Sequence, residues 1–192
     1  MTKKEPRTIK DSAVLAALAH PLRRRIMDVL RVHGPCTASV IAEKTGQAVG
    51  NVSHHLKVLG ASDLLEEAPE LAKDRRERWW RLVDAGLRWS TGDFAQDPAA
   101  HAISDAVQSL NLEHHFQMVR TWYADPDDER QRKWGNGSFS ADKWLSMTPQ
   151  ELYQLSQEIG ELFAKWATRA IPDDGQEREP VFVFAHGVPG RP

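Results

Sequence analysis

The stretch from Thr37 to Leu59 constrains this chain more than any other, because two short helical patterns follow each other there with almost no room between them. Thr37 is a good N-cap, Ile41 and Ala42 share an inward side, and Gly46 stands where a helix-ending glycine belongs, which predicts a helix over about 38–45. From Ala48 to Leu59 the apolar positions Val52, Leu56 and Leu59 form one stripe, with His54 and Lys57 on the opposite face. Two short helices joined by a tight glycine turn, the second apolar on one side only, have the form of a helix-turn-helix.

The flanks fit that frame. Asp11-Ser12 starts a helix that carries Val14, Leu15, Ala17 and Leu18, and His20-Pro21 ends it. Proline is favoured at the first helical position, and Leu22, Ile26, Val29 and Leu30 then repeat at helical spacing until Gly34-Pro35, predicting a helix over about 21–33. Beyond the pair, Leu64-Leu65-Glu66-Glu67 and Arg78-Trp79-Trp80-Arg81-Leu82 read as two strands. The polar loop between them holds Pro69 and Lys73-Asp74-Arg75-Arg76, so the expectation is a β-hairpin, or wing.

In this order ALAHPLRRRIMDVL, TASVIAEKTGQAVGNVSHHLKVLGASDLLEE and DRRERWWRL resemble the ArsR-type (ArsR/SmtB-like) winged helix-turn-helix regulators over roughly residues 11–85. Asn51–Leu59, followed at fixed distance by the Leu-Leu-Glu-Glu strand and a basic wing, is the most specific part of the likeness. The chain departs from the pattern at three places. Ala48 stands where the family often has a capping Ser, Gly50 puts a poor helix former into the recognition helix, and Asp63 replaces the usual Gly before the strand.

The second half has a different character. Residues 1–96 carry 16 Lys and Arg against 12 Asp and Glu, whereas residues 97–192 carry 9 against 15. Between Met1 and Leu64 there are 10 basic and 5 acidic residues, so a polyanion would prefer that end. Asp97-Pro98 opens a long helix to about Tyr123 through Ile103, Val107, Leu110, Phe116 and Val119. Residues 126–138 read as a polar loop and Phe139 to Met147 as a strand. Thr148-Pro149-Gln150-Glu151 is a capping box that opens a helix bearing Leu152, Leu155, Ile159, Leu162, Phe163 and Trp166. Val181–Phe184 has the composition of a buried strand, with the segment around Trp144 as its partner. The expected fold is mainly α with small β (α+β): a winged helix-turn-helix domain over 1–96, then an acidic, Trp-rich helical dimerisation and effector region over 97–192.

DNA recognition needs a helix that enters the major groove with side chains reaching base edges, and cations that grip phosphates on either side. The outward face of the 48–59 helix offers Gly50, Asn51, His54 and Lys57, with Ser53 at its flank. Asn51 can pair bidentately with adenine, His54 can donate or accept at base edges, and Lys57 suits a phosphate. His55 lies at the edge of the apolar stripe, where it either packs under the helix or touches DNA. Arg75, Arg76 and Arg78 of the wing can reach the backbone or the adjacent minor groove. Arg23, Arg24 and Arg25 are cationic as well, but their helix offers acidic neighbours to pair with.

Other chemistries find less support. The single Cys36 can form neither an intrachain disulfide nor a multi-thiolate metal site. His101, Asp105, Glu113, His114 and His115 lie where histidine sensors of the family bind metal, yet their spacing does not match, and no metal or other cofactor is expected. No P-loop, GxSxG or HExxH is present, so an enzyme is not expected and no catalytic residues are assigned. Trp122, Tyr123, Trp134, Trp144 and Trp166 are candidates for an aromatic effector pocket. The longest apolar run, Ala13–Ala19, is too short to cross a bilayer, and the start MTKKEPRTIKD has no apolar leader, so a cytoplasmic protein without a membrane partner is expected.

The resemblance implies a transcriptional repressor that binds double-stranded DNA at a palindromic operator as a homodimer, with a small-molecule effector. Two alternatives remain: a winged-helix protein-interaction module, and a histidine-based metal-sensing repressor.

Overall fold

In the computed structural model, which describes residues 7–74, 77–83, 86–135 and 137–191, each early helix begins at a side chain that can cap it. Asp11 accepts from the Ala13 amide at 2.8 Å and starts α1 (Ser12–Leu18). His20 Nδ1 accepts from the Leu22 amide at 3.1 Å and starts α2 (Pro21–His33), with Pro21 at the first position. After β2 (Cys36–Thr37), Thr37 Oγ1 accepts from the Val40 amide and starts α3 (Ala38–Thr45). Gly46 ends it in the left-handed region, φ 65°, which turns the chain into α4 (Val49–Ala61). Ala48 makes no side-chain cap, so the sequence departure there is a real loss of one interaction.

The apolar stripes converge on one core. Leu15, Ile26, Ile41, Val52, Leu56 and Leu59 are fully buried, and each side chain of this size removed from water contributes about 1.5–3 kcal/mol. The wing strands β3 (Leu65–Glu67) and β4 (Trp79–Leu82) pair antiparallel, and β4 also pairs with β2, placing Cys36 opposite Trp80. Trp80 packs so closely on α4 that a Cβ on Gly60 would lie 3.0 Å from its ring. This contact fixes the angle between wing and α4. A small parallel pair, β1 (Arg7–Thr8) with β5 (Leu87–Arg88), closes the edge of the fold.

The 26 residues of α5 (Pro98–Tyr123) follow, and the chain divides into two compact units between Phe116 and Gln117. In the first unit α5 buries Ala100, Ser104 and Val107. The second unit contains α6 (Asp128–Trp134) and α7 (Pro149–Ala167), whose capping box of Thr148 and Glu151 is formed as the sequence predicts. Neither α6 nor α7 buries a residue fully.

Three expectations for this half are corrected. Residues 126–138 are not all loop, because α6 lies within them. Asp127 accepts from the Glu129 and Arg130 amides, while acids in the first turn and bases in the last favour a helix that has no apolar stripe to announce it. Phe139–Met147 and Val181–Phe184 form no strand. Val181, Phe182 and Val183 are 64%, 41% and 44% exposed and belong to neither described sheet, so strand-forming composition alone does not make a strand.

Candidate nucleic-acid interface

α4 is anchored by Val52, His55, Leu56 and Leu59 and turns its other side to solvent. Gly50, Asn51, His54 and Lys57 are exposed and Ser53 is half-buried, so the outward face read from the sequence is assembled on one helix. His55 is 8% exposed and faces inward, which resolves its two readings in favour of packing. Asn51 Nδ2 donates to Gln47 Oε1 at 3.1 Å. Gln47 was not among the sequence candidates, although it lies one turn before Asn51 and adds a second amide to the same exposed edge.

A cavity of about 590 Å³ separates this face from the wing, lined among others by Ser39, Val49, Ser53, Lys57, Arg78 and Trp80. Ser39 comes from the first turn of α3, Ser53 and Lys57 from α4, and Arg78 from the chain entering β4. Three elements thus contribute hydroxyl and cationic groups to one concave surface, which also holds the carboxylate of Glu77, an acceptor from the Lys73 amide at 2.9 Å. Arg78 Nη1 is already paired with Glu67 Oε1 at 3.1 Å, and both side chains remain largely exposed. Arg81, by contrast, is engaged by both Glu66 and Glu70, so it braces the wing. Arg75 and Arg76 lie outside the described residues. Arg23 donates to the Ala16 carbonyl at 3.1 Å, which ties it to the α1–α2 corner.

The remaining candidates are dispersed. His101 Nε2 lies 3.6 Å from Asp105, and His114 Nε2 lies 2.8 Å from Asp28, which Arg31 also contacts. Burial opposes ionisation of Asp28, but the His114 hydrogen bond and the Arg31 charge outweigh it and hold the carboxyl below its usual range. Among the described residues no three His, Cys, Asp or Glu side chains gather as metal ligands. Cys36 is buried, and burial pushes its thiol up. Of the five aromatics, Trp122 and Trp134 share a cluster. Arg130 lies 5.3 Å from the Trp122 ring centre, and Glu179 accepts from Trp134 Nε1 and from Arg130 and Lys133, an arrangement that holds its carboxyl down at about 2. Tyr123, Trp144 and Trp166 are exposed and stand apart from that cluster.

Three packed helices, two of them joined through a left-handed glycine, with an antiparallel hairpin seated on the second, define a winged helix-turn-helix. Residues 18–68 match the helix-turn-helix domain family. Among curated proteins none matches the chain. Among solved structures it is similar to NolR from Sinorhizobium fredii, at 26% identity over 38% of this chain and 68% of that one, with a TM-score of 0.33. It is also similar to the homodimeric winged helix-turn-helix DNA-binding domain of Mb0332 from Mycobacterium bovis, a possible ArsR-family transcriptional regulator. That likeness has 25% identity over 55% and 84% of the two chains and a TM-score of 0.35. ZitR from Lactococcus lactis, as its C30AH42A mutant, is 18% identical over 82% and 81%, with a TM-score of 0.27. The expected winged helix-turn-helix fold is borne out by the domain match. No described helix is long and apolar enough to cross a membrane.

Proposed function

We propose that this chain is a sequence-specific transcriptional repressor that binds a palindromic operator as a homodimer. The observation that carries the reading is the single solvent face of α4, on which Asn51, His54 and Lys57 stand together beside the groove that holds Arg78. Asn51, with Gln47, reads adenine edges, His54 reads a neighbouring base, and Lys57, Ser53 and Arg78 hold phosphates. A two-fold dimer would present two such helices to half-sites about 34 Å apart. Support for self-association comes from α5, where Phe116, Val119 and Tyr123 follow at helical spacing and are 44%, 37% and 69% exposed. Within this reading a planar effector would bind at Trp122 and Trp134 in the second unit, and ligand-dependent tryptophan quenching checks that assignment.

The test is selection of bound duplexes from a random-sequence pool, followed by competition at low and physiological salt. An enriched symmetric site that survives physiological salt is the expected outcome. The pair of substitutions Asn51→Ala and His54→Ala should abolish the preference while leaving the circular-dichroism spectrum intact. Unchanged preference in that variant sinks the choice of α4, and no retention of duplex at any salt would favour a protein-interaction module.

A further inference from the structure

The face of α4 opposite the reading surface rests on a histidine of the preceding corner. His20 and His55 have ring centres 4.3 Å apart and planes tilted by 44°, and His54 meets His55 edge-on at 5.3 Å. His20 Nδ1 is the acceptor that caps α2, so that nitrogen carries no proton. His55 Nδ1 is buried without a hydrogen-bond partner, and so is Nε of Arg23. The charged and titratable groups acting on the pair are Arg23 of α2 and His54 of α4, and no carboxylate is among them. α1, with the sequence SAVLAAL, carries no ionisable side chain.

We propose that the neutral His20–His55 pair positions the recognition helix, so that acidification unseats α4 and weakens its grip on DNA. The proposal rests on the DNA-binding reading above only in its last clause. Protonating His20 converts the capping acceptor into a donor aimed at the Leu22 N–H, at the positive end of α2. Protonating His55 places a cation in an apolar layer beside another histidine and Arg23. Burial first, and then Arg23 and the neighbouring histidines, hold both rings below the ordinary histidine value of 6.5. In the unfolded chain both rings take up protons near that value before the folded chain does, so stability is complete above it and is lost as pH falls through the lower folded values. Asp28 does not confuse this window, since its carboxyl is held below the carboxylate range.

His54 is itself on the reading face and gains attraction for phosphate when protonated, so the first measurement is made without DNA. The melting temperature of the full chain is compared at pH 7.5 and 5.5 at constant ionic strength. The wild type should melt lower at pH 5.5 by at least about 3 °C. His20→Asn keeps a capping oxygen without titrating, and His55→Phe keeps a packed ring. Together they should abolish the difference. Should that variant fail to fold, Arg23→Gln retains both rings, removes the nearest cation and should shrink the difference. NMR titration of the histidine ring protons should show two rings, His20 and His55, titrating below the ordinary histidine value of 6.5. Equal pH dependence in wild type and variants, or His20 and His55 titrating at the ordinary histidine value, overturns the proposal. Retention of a random-sequence 30-bp duplex, measured next, should fall at pH 5.5 in the wild type relative to the double variant, and equal retention overturns the affinity clause. A normal melting difference in a chain that retains no duplex at any pH instead overturns the DNA-binding reading, and the coupling of the pair to α4 stands.

Discussion

Asp63 is the one described non-glycine residue with positive φ, 53°, and it stands directly before the first wing strand. A side chain there brings Cβ towards the carbonyl oxygen, a cost that Asp tolerates better than most residues and Gly does not incur. The strain is held in place by the Leu64 amide donating to Leu59 O and by Arg7 donating to the Asp63 carbonyl, so the backbone stays put whichever residue occupies the site. Asp63→Gly should therefore stabilise the domain by roughly 0.5–1 kcal/mol, the glycine's greater freedom in the unfolded chain offsetting part of the relief. A raised urea midpoint with an unchanged slope is the expected result, and a lowered midpoint would mean that the Asp side chain makes a compensating contact. The position was visible in the sequence as a departure from the family pattern, because a turn geometry that requires positive φ leaves its mark on residue type. His55 was less legible. Periodicity set it at the edge of the stripe, and only its packing against His20, thirty-five positions earlier, decided which way it faced.

At the scale of elements, α2, α3, α4, α7 and the hairpin could be read in advance because caps, breakers and apolar spacing all pointed the same way. The bounds of α2, α3, α4 and the hairpin strands agree with the sequence reading to within about two residues, whereas α7 ends at Ala167, before the Ile171-Pro172 stop that the sequence suggests. α6 was missed, since a helix made by an Asp cap and charge placement leaves no hydrophobic period to detect. The wing illustrates a different limit. Arg78 was recognisable as a basic residue of the wing, but its partner Glu67 lies across the hairpin and becomes apparent only once register is known. That pair makes a prediction. An arginine held by a carboxylate must be released before it can serve a phosphate, so Glu67→Gln should raise affinity for DNA and steepen its salt dependence by about one counterion. Exposed pairs contribute little to stability, about 0–1 kcal/mol, and the melting temperature should hardly change. Binding isotherms over a range of salt concentrations check this, and lower affinity in the variant would show that Glu67 orients Arg78 instead of restraining it.

At the scale of the molecule, the exposed apolar surface matters more than any single contact. Phe116, Val119 and Tyr123 of α5 and Leu162, Phe163 and Trp166 of α7 lie on helical stripes and remain 37–69% exposed in the single chain. Covering such surface is favourable by about 25 cal/mol per Å², so stripes of this kind are expected to find partners. If α5 supplies the dimer contact, Phe116→Glu with Val119→Glu would place two buried charges on each side of the two-fold axis. The chain should then sediment as a monomer at micromolar concentration, while Leu162→Glu in α7 leaves the dimer intact. Because the second half-site then no longer shares one complex, operator affinity should fall by roughly 10²-fold or more, with retention of single half-sites unchanged. A wild-type chain that is monomeric at micromolar concentration would remove the symmetric-operator reading altogether. Loss of the dimer through Leu162→Glu alone would move the interface from α5 to α7, and the spacing of half-sites would have to be read from the second unit instead.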